Sequence, residues 1–316
     1  MTTTITTSEA RTWLRCREEH RWRYVERLAP NGPPATALAF GTAIHAGLEG
    51  WWQTQGTEHE AAIEDALRVG TELGLDEYQQ VAVQVMLERY HRYWRHEQGH
   101  WQVLGVEQEF IVERRGYLLA GKMDALVETA TIPTRKYVVE HKTTTEEIGA
   151  GSGYWRRLSI DMQVSNYLIA TGALGVIYDV LRKPKLTPHR ATPIDKRKYR
   201  KDGTLYAGQH AEDESLEAWK VRLVDAYEAE PGSWFRRELI TRLNGELVRA
   251  GQDIDAIGRE IAAQRTDPKP QPRNTEACTR YGRPCDYQGL CYGEETPTDG
   301  RFRVLDREHQ ELALRE

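Results

Sequence analysis

The stretch Gly121-Lys122-Met123-Asp124-Ala125-Leu126-Val127 decides how this chain folds, together with Tyr137-Val138-Val139-Glu140-His141-Lys142 after a short polar connection. Both runs are apolar or β-branched enough to be strands, and Ile132-Pro133-Thr134-Arg135-Lys136 reads as the turn between them. Side chains alternate along a strand, so Glu140 and Lys142 share one face while Val139 and His141 take the other. Paired as a hairpin, the strands bring Asp124 close to Glu140. Two carboxylates and an ammonium then converge on an otherwise apolar sheet, where charges are costly unless paired or bound to a metal. Hard oxygen donors suit Mg²⁺ or Mn²⁺. An exposed hairpin with a cross-strand salt bridge accounts for the same residues, and this stretch alone does not choose.

The surrounding pattern makes the fold α/β. Val103 to Val112 reads as a strand, Arg114-Arg115-Gly116 as a turn, and Tyr117 to Val127 as the next strand. After the glycine-rich Gly149–Gly153 loop, a helix is expected from about Ile160 to Thr171 and a short strand from Gly175 to Leu181. The result is a central mixed β-sheet flanked by helices. Upstream, Ser8 suits the N-cap of a helix over about Glu9–Arg27, and three-to-four-residue apolar spacing predicts a helical lobe over 40–100 that carries His45. Downstream, a helix near Ser215–Glu228, a strand around Trp234–Ile240 and a long helix to about Gln264 lead to a cysteine cluster. Residues 294–316 read as a polar tail with a marginal helix. The expected division is an N-terminal helix and lobe over 1–100, a core over 101–265, a cysteine-bearing segment over 266–292 and a tail over 293–316.

Composition sets outer limits. The chain has 316 residues, 39% hydrophobic and 29% charged, which describes a globular protein rather than a disordered one. No apolar run reaches a membrane span and the N-terminus lacks a basic-then-apolar leader, so a cytoplasmic location and no membrane contact are expected. A formal net charge of -5 argues against a generic polyanion binder and leaves nucleic-acid contact to local patches. One such patch is Arg182–Lys201, with nine Lys or Arg residues against the single acid Asp195. Its prolines keep it from being a helix, and a solvated loop is the plain reading.

Other residues have bland and chemical readings side by side. Gln163 and Tyr167 lie four apart on one helical face, where an amide and a phenol can hold a phosphate or base edge but are also ordinary amphipathic surface. His45, among small and apolar neighbours, reads first as a satisfied core histidine. Cys278, Cys285 and Cys291 fall within fourteen residues, with Cys16 about 260 residues upstream. Their gaps are too wide for a zinc knuckle, whereas four thiolates satisfy a [4Fe-4S] cluster. Gly116-x4-Gly121-Lys122 nearly matches a phosphate-binding loop, but Met123 replaces the required hydroxyl on what reads as a strand, so no ATP is expected.

Together these residues resemble the PD-(D/E)XK nuclease superfamily, and specifically its iron–sulfur branch of RecB-like domains, CRISPR-associated adaptation exonucleases and phage relatives. The resemblance covers Cys16 to Cys291. It rests on Phe40-Gly41-Thr42-Ala43-Ile44-His45, Gly121-Lys122-Met123-Asp124, Glu140-His141-Lys142, Gln163-x3-Tyr167, and Pro272-Arg273-Asn274 with the cysteines. It implies a restriction-endonuclease-like core with an iron–sulfur latch joining the chain ends through Cys16, Cys278, Cys285 and Cys291. Asp124, Glu140, His45 and the backbone carbonyl of His141 are the implied ligands of Mg²⁺ or Mn²⁺. Lys142 is implied to position the attacking water, and Gln163 and Tyr167 to orient a DNA strand. The basic segment becomes a candidate backbone clamp through Lys183, Lys185, Arg190, Lys196, Arg197 and Lys198. A strand glutamate is common upstream of the aspartate, and Glu107 and Glu109 both fit. The implied function is a metal-dependent DNA exonuclease acting on ends or single strands in recombination, repair or phage DNA processing, with a recombination or annealing protein as partner. A DNA-binding subunit that keeps the fold without catalysis is the alternative, and a zinc-stabilised structural protein is a third reading.

Overall fold

The computed structural model describes residues 3–280 and 282–312. Strand β1 (Thr3–Thr6) leads directly into α1 (Thr7–Arg15), with the Thr6 hydroxyl accepting from the Glu9 amide as the cap. The cap is thus Thr6 rather than Ser8. The long first helix expected from the sequence is broken at Cys16, whose backbone is extended (φ -158°, ψ 119°), and resumes as α2 (Arg17–His20) and a π-helical turn over Arg21–Val25. Strand β2 (Leu28–Pro30) follows, then α3 (Thr36–Thr54), α4 (His59–Glu72) and α5 (Glu77–Trp94). Asp76 and Gln79 form a reciprocal capping box at the start of α5.

Next come β3 (Trp101–Glu113), β4 (Tyr117–Thr129) and β5 (Lys136–Thr144), at nearly the expected bounds. The glycine-rich loop is followed by an unanticipated short helix α6 (Gly153–Ser159), then α7 (Met162–Thr171), capped by Asp161, and β6 (Gly175–Arg182). Helix α8 (Leu216–Ala229), strand β7 (Phe235–Ile240) and helix α9 (Asn244–Thr266) complete the main body. A small ribbon of β8 (Thr279–Arg280) and β9 (Arg283–Pro284) precedes α10 (Gln288–Tyr292) and β10 (Phe302–Val304). Strand β10 pairs antiparallel with β2. The stretch read as a polar tail is therefore tied to the N-terminal segment, and His309 within it is buried.

The sheet runs β1-β4-β5-β6-β7, with β3 along the other edge of β4. Strand β4 shares its second edge between two partners: β1 pairs parallel over Tyr117–Ala120, and β5 pairs antiparallel over Ala125–Glu128. Between those spans, residues 121–124 have no ladder partner on that edge among the described residues. Alternation sorts the sheet into two faces. Ala125, Val127, Tyr137, Val139 and Ile177 pack under α3, α5 and α8, while Leu126, Val138 and Tyr178 pack under α6 and α7. A third cluster seats α1 and α9 against the start of β4.

Helix α9 approaches β4 closely at Gly258, where an added Cβ would lie 2.5 Å from ring atoms of Tyr117. That ring is fully buried and its hydroxyl lies 3.1 Å from Asp255 on the same helix, so it has no room to yield. Gly258→Ala should therefore destabilise the fold by about 1–3 kcal/mol through overpacking, although helix propensity alone favours alanine by about 1 kcal/mol. Urea unfolding checks the sign. A gain in stability would mean that the contact between α9 and β4 is loose.

Candidate active site

The ladder between β4 and β5 ends at Ala125–Val139, one residue short of Asp124 and Glu140. The strands part there, and side chains replace the missing backbone pairing. The His141 amide donates to Asp124 Oδ2 at 2.6 Å. Glu140 is buried, and all its partners come from its own face of the sheet. Lys142 pairs with Oε1, Gln163 Nε2 donates to Oε1 at 2.9 Å, and the Tyr167 hydroxyl lies 2.8 Å from Oε2. That hydroxyl also accepts from Gln163 and lies 2.9 Å from the Lys122 carbonyl. The α7 amide and phenol are thus turned onto the carboxylate. They also line a cleft with Lys122, Thr6 and Ser8.

On the other side of Asp124, His45 Nδ1 on α3 lies 3.5 Å from Oδ1. Glu107 joins them: ligand atoms of His45, Glu107 and Asp124 all fall within 4.8 Å of one another. Glu107 stands opposite Asp124, between the pairs Val106–Ala125 and Gln108–Met123. Its backbone is left-handed (φ 52°), a conformation uncommon outside glycine that re-aims the side chain toward the groove. Lys122 pairs with it. Between the two glutamates that the sequence left open, the structure brings in Glu107. Glu109 sits opposite Lys122, with a buried oxygen that has no hydrogen-bond partner among the described residues. One imidazole nitrogen and two carboxylate oxygens are a donor set suited to Mn²⁺ or Mg²⁺.

Electrostatics divide the groups. Burial opposes charge on Asp124, yet His45, His141 and Lys142 outweigh it and hold the carboxyl well below its usual range. Glu140 goes the other way, pushed up by burial and by the nearby Asp124 despite Lys142 and Tyr167. Burial also disfavours the Lys142 ammonium, but Glu140 and Asp124 reverse the effect and raise its pKa. Lys142 therefore stays a cation at neutral pH. For His45 as well, the Asp124 charge overcomes burial and the pKa rises.

The opposite face of β5 carries a second polar system that the sequence reading missed. Parallel pairing sets His141 beside Asp179 of β6, with Nδ1 3.2 Å from Oδ2 but not aligned as a hydrogen bond. Asp179 is fully buried and receives the Tyr90 hydroxyl, while Arg237 lies 3.2 Å away and bonds Tyr90 at 2.8 Å. Arg237 is enclosed by Trp52 and Trp94, its guanidinium carbon 5.0 and 4.0 Å from their ring centroids, and pairs with Glu97. Burial works against the Asp179 charge, but Arg237 and His141 prevail and its pKa falls to about 2. The signal available was an aspartate inside the otherwise apolar run Gly175–Leu181.

Elsewhere, Cys16, Cys278, Cys285 and Cys291 line one small pocket together with Glu19, Arg273 and Asn274. Among the described residues, no three of these sulfurs come within 4.8 Å of one another. The Asn274 side chain donates to the Arg15 carbonyl at 2.7 Å, next to Cys16, and the Cys285 amide donates to the Cys278 carbonyl at 2.8 Å. The basic segment is partly spent on itself. Arg197 bonds the Thr192 and Ala211 carbonyls and Arg190 pairs with Asp213, whereas Lys185, Lys196 and Lys198 are exposed. Lys183 and Lys185 lie in a second groove beside the first.

A family model for the PD-(D/E)XK nuclease superfamily matches residues 4–292. A crystal structure from Eubacterium rectale, described as that of a candidate exonuclease, is similar at 12% identity with a TM-score of 0.50, covering 93% of this chain and 88% of that one. A phage-related exonuclease from Haemophilus somnus 129PT matches at 13% identity over 66% of this chain and 83% of that one, with a TM-score of 0.31 that carries no argument. At such identities the likeness speaks for the fold alone. No curated protein matches the chain.

Because Asp179 and Arg237 are buried together, removing one strands the other. Arg237→Ala should cost about 3–5 kcal/mol, the penalty of an uncompensated buried charge. Asp179→Asn placed on top of it should recover part of that loss, giving a non-additive cycle in urea unfolding. Strict additivity would mean that the two groups do not depend on each other.

Proposed function

Because the chain belongs to the PD-(D/E)XK nuclease superfamily, we propose that it is a metal-dependent DNA exonuclease that hydrolyses phosphodiester bonds at ends or in single strands. The observation that carries this is the convergence of His45, Glu107 and Asp124 beside the Glu140–Lys142 pair where β4 and β5 part. His45, Glu107 and Asp124 would hold Mg²⁺ or Mn²⁺, with Glu140 and the His141 carbonyl as further donors. Such an ion, when bound, supplies Lewis-acid neutralisation of the phosphate and acidifies water. The chain's own groups do the rest. Lys142, kept charged by Glu140, faces charge developing on the phosphate and stabilises it. Gln163 and Tyr167 fix the orientation of Glu140, and the cleft they line beside Lys122 offers a path for the strand. DNA ends arise in recombination, repair and phage DNA processing, and the proposal extends to a process of that kind with an annealing or recombination protein as partner.

Asp124→Asn, Glu140→Gln and Lys142→Met should each lower turnover on end-labelled DNA by at least ~10²-fold, the scale of a lost electrostatic catalytic group, with the circular dichroism spectrum unchanged. Glu107→Gln should weaken activation by Mn²⁺. Undiminished hydrolysis by Glu140→Gln would sink the assignment. DNA binding without hydrolysis in any divalent ion would favour the non-catalytic subunit instead.

The proposal includes a [4Fe-4S] cluster on Cys16, Cys278, Cys285 and Cys291 as a latch between the chain ends. Its support is that all four residues line one pocket. Burial pushes the Cys285 thiol up to about 11, so this sulfur is protonated in the free protein and ligating a metal there would release a proton. Protein purified anaerobically should be brown with about four irons per chain. Cys285→Ala should bleach it and lower the melting temperature. Colourless, zinc-loaded, fully stable protein would refute the cluster and leave the nuclease reading standing.

A further inference from the structure

Beside the catalytic groove lies a second cavity of about 480 Å³. Two elements join them. On α3, Phe40 lines the cavity while Gly41, Thr42 and His45 line the groove. Past β5, Thr145 lines the cavity while Thr143, near the strand's end, lines the groove. Residues one or two apart in the chain thus line the two spaces.

The cavity is aromatic within and cationic at its mouth. Trp219, Leu223 and Tyr227 of α8 form a buried base, each 3% exposed. The Trp219 indole donates to the Tyr78 carbonyl at 3.0 Å, and the Tyr78 hydroxyl reaches the Glu214 carbonyl, which fixes these rings from two directions. Phe40 and Tyr78 each present a ring face to a cation: Lys183 Nζ lies 4.5 Å from the Phe40 centroid, and the Arg190 guanidinium 4.4 Å from that of Tyr78. Lys185 and Leu186 stand exposed at the opening. Pro184 and Pro188 stiffen the wall that carries them. The acids nearby are already occupied, Asp76 by the α5 cap and Asp213 by Arg190. Burial lowers the pKa of Lys183, so an anion placed there would relieve a cost the free protein carries.

A space that offers ring faces inside and ammonium groups at its mouth fits a flat aromatic group tethered to an anion. A nucleotide has that form. An acyl chain would not use the cations, and an acidic peptide would not use the rings. Base–aromatic stacking tolerates any sequence because every base has a π-face. A base within a duplex is paired and stacked and does not present that face.

Resting on the nuclease reading above, the geometry points to this cavity as a subsite for one unpaired nucleobase of the DNA strand being cut. The base stacks on Tyr78, taking the ring face that Arg190 covers in the free protein, and its phosphate lies against Lys183 and Lys185. The bound substrate is then single-stranded next to the scissile phosphate, and a duplex must fray to be cut.

Scanning a single abasic position along a 12-nucleotide single strand, with binding to the Glu140→Gln protein followed by fluorescence anisotropy, tests this. One abasic position should weaken binding about tenfold, the scale of one lost stack, and its neighbours far less. Tyr78→Ala should remove that position dependence and Tyr78→Phe should keep it. Leu186→Trp, which fills the opening from an exposed position, should also remove it without touching the buried base. A uniform response to abasic sites, or position dependence that survives Leu186→Trp, would overturn the subsite even while the unmodified protein cuts DNA. Displacement of the strand by equimolar dAMP would overturn it in favour of a free mononucleotide. A protein that neither cuts nor binds any DNA would overturn the nuclease reading, and the subsite with it.

Discussion

Charge inside a sheet must be paired or it reverses the gain from burial, and strand β5 meets that constraint on both of its faces. Glu140 points to one face and is held by Lys142, Gln163 and Tyr167. His141 points to the other and sits beside Asp179, itself balanced by Arg237 and Tyr90. These two systems are one residue apart in sequence and separated by the sheet. Together they fix the segment whose amide holds Asp124, so the site is rigid where the regular ladder stops. The arrangement substitutes side-chain bonds for backbone ones at a place where the backbone must open to admit a ligand.

This explains why the two carboxylates differ despite their proximity. Asp124 looks toward His45 and a backbone amide and is held ionised, whereas Glu140 lies deeper under α7, where burial raises its pKa. Lys142 stands between the roles. It retains its proton because both acids face it, which suits it to stabilise negative charge and not to remove a proton. A divalent cation would add its own field to this set, and the strained backbone of Glu107 is consistent with a residue turned out of its strand to meet one.

Much of this was legible in the sequence because it depends on period and spacing. Alternation in Tyr137–Lys142 assigned Glu140 and His141 to opposite faces, and the strand bounds of the hairpin followed from turn residues. What stayed hidden depends on partners distant in the chain. Strand β1 is four residues of mostly threonine and exists because β4 leaves an edge open to it. The break at Cys16 carries no glycine or proline to announce it. Strand β10 forms only because β2, more than 270 residues earlier, is there to pair. Asp179 looked like an exception in an apolar strand, and its reason, Arg237, lies on another strand. The preference for Glu107 over Glu109 is set by a single backbone angle that no local pattern encodes.

Helix α3 links the catalytic groove, the neighbouring cavity and the helical lobe, and its composition is set by that position. His45 lines the groove and Phe40 the cavity, while Gly47 and Gly50 meet α5 and α4 of the lobe. A Cβ at Gly47 would stand 2.4 Å from Leu87 of α5, and one at Gly50 2.9 Å from the Ala62 side chain of α4. The lobe therefore presses directly on the helix backbone and leaves it little freedom to shift. Gly41 meets the sheet, where an added Cβ would sit 3.5 Å from Thr143 Oγ1. Close packing on both sides turns the helix into a spacer of fixed thickness, and this thickness sets the reach of His45 to Asp124. The lobe is thus part of the site's geometry: α4 and α5 back the helix that, packed on the sheet, carries an imidazole to ligand distance from a carboxylate on a strand.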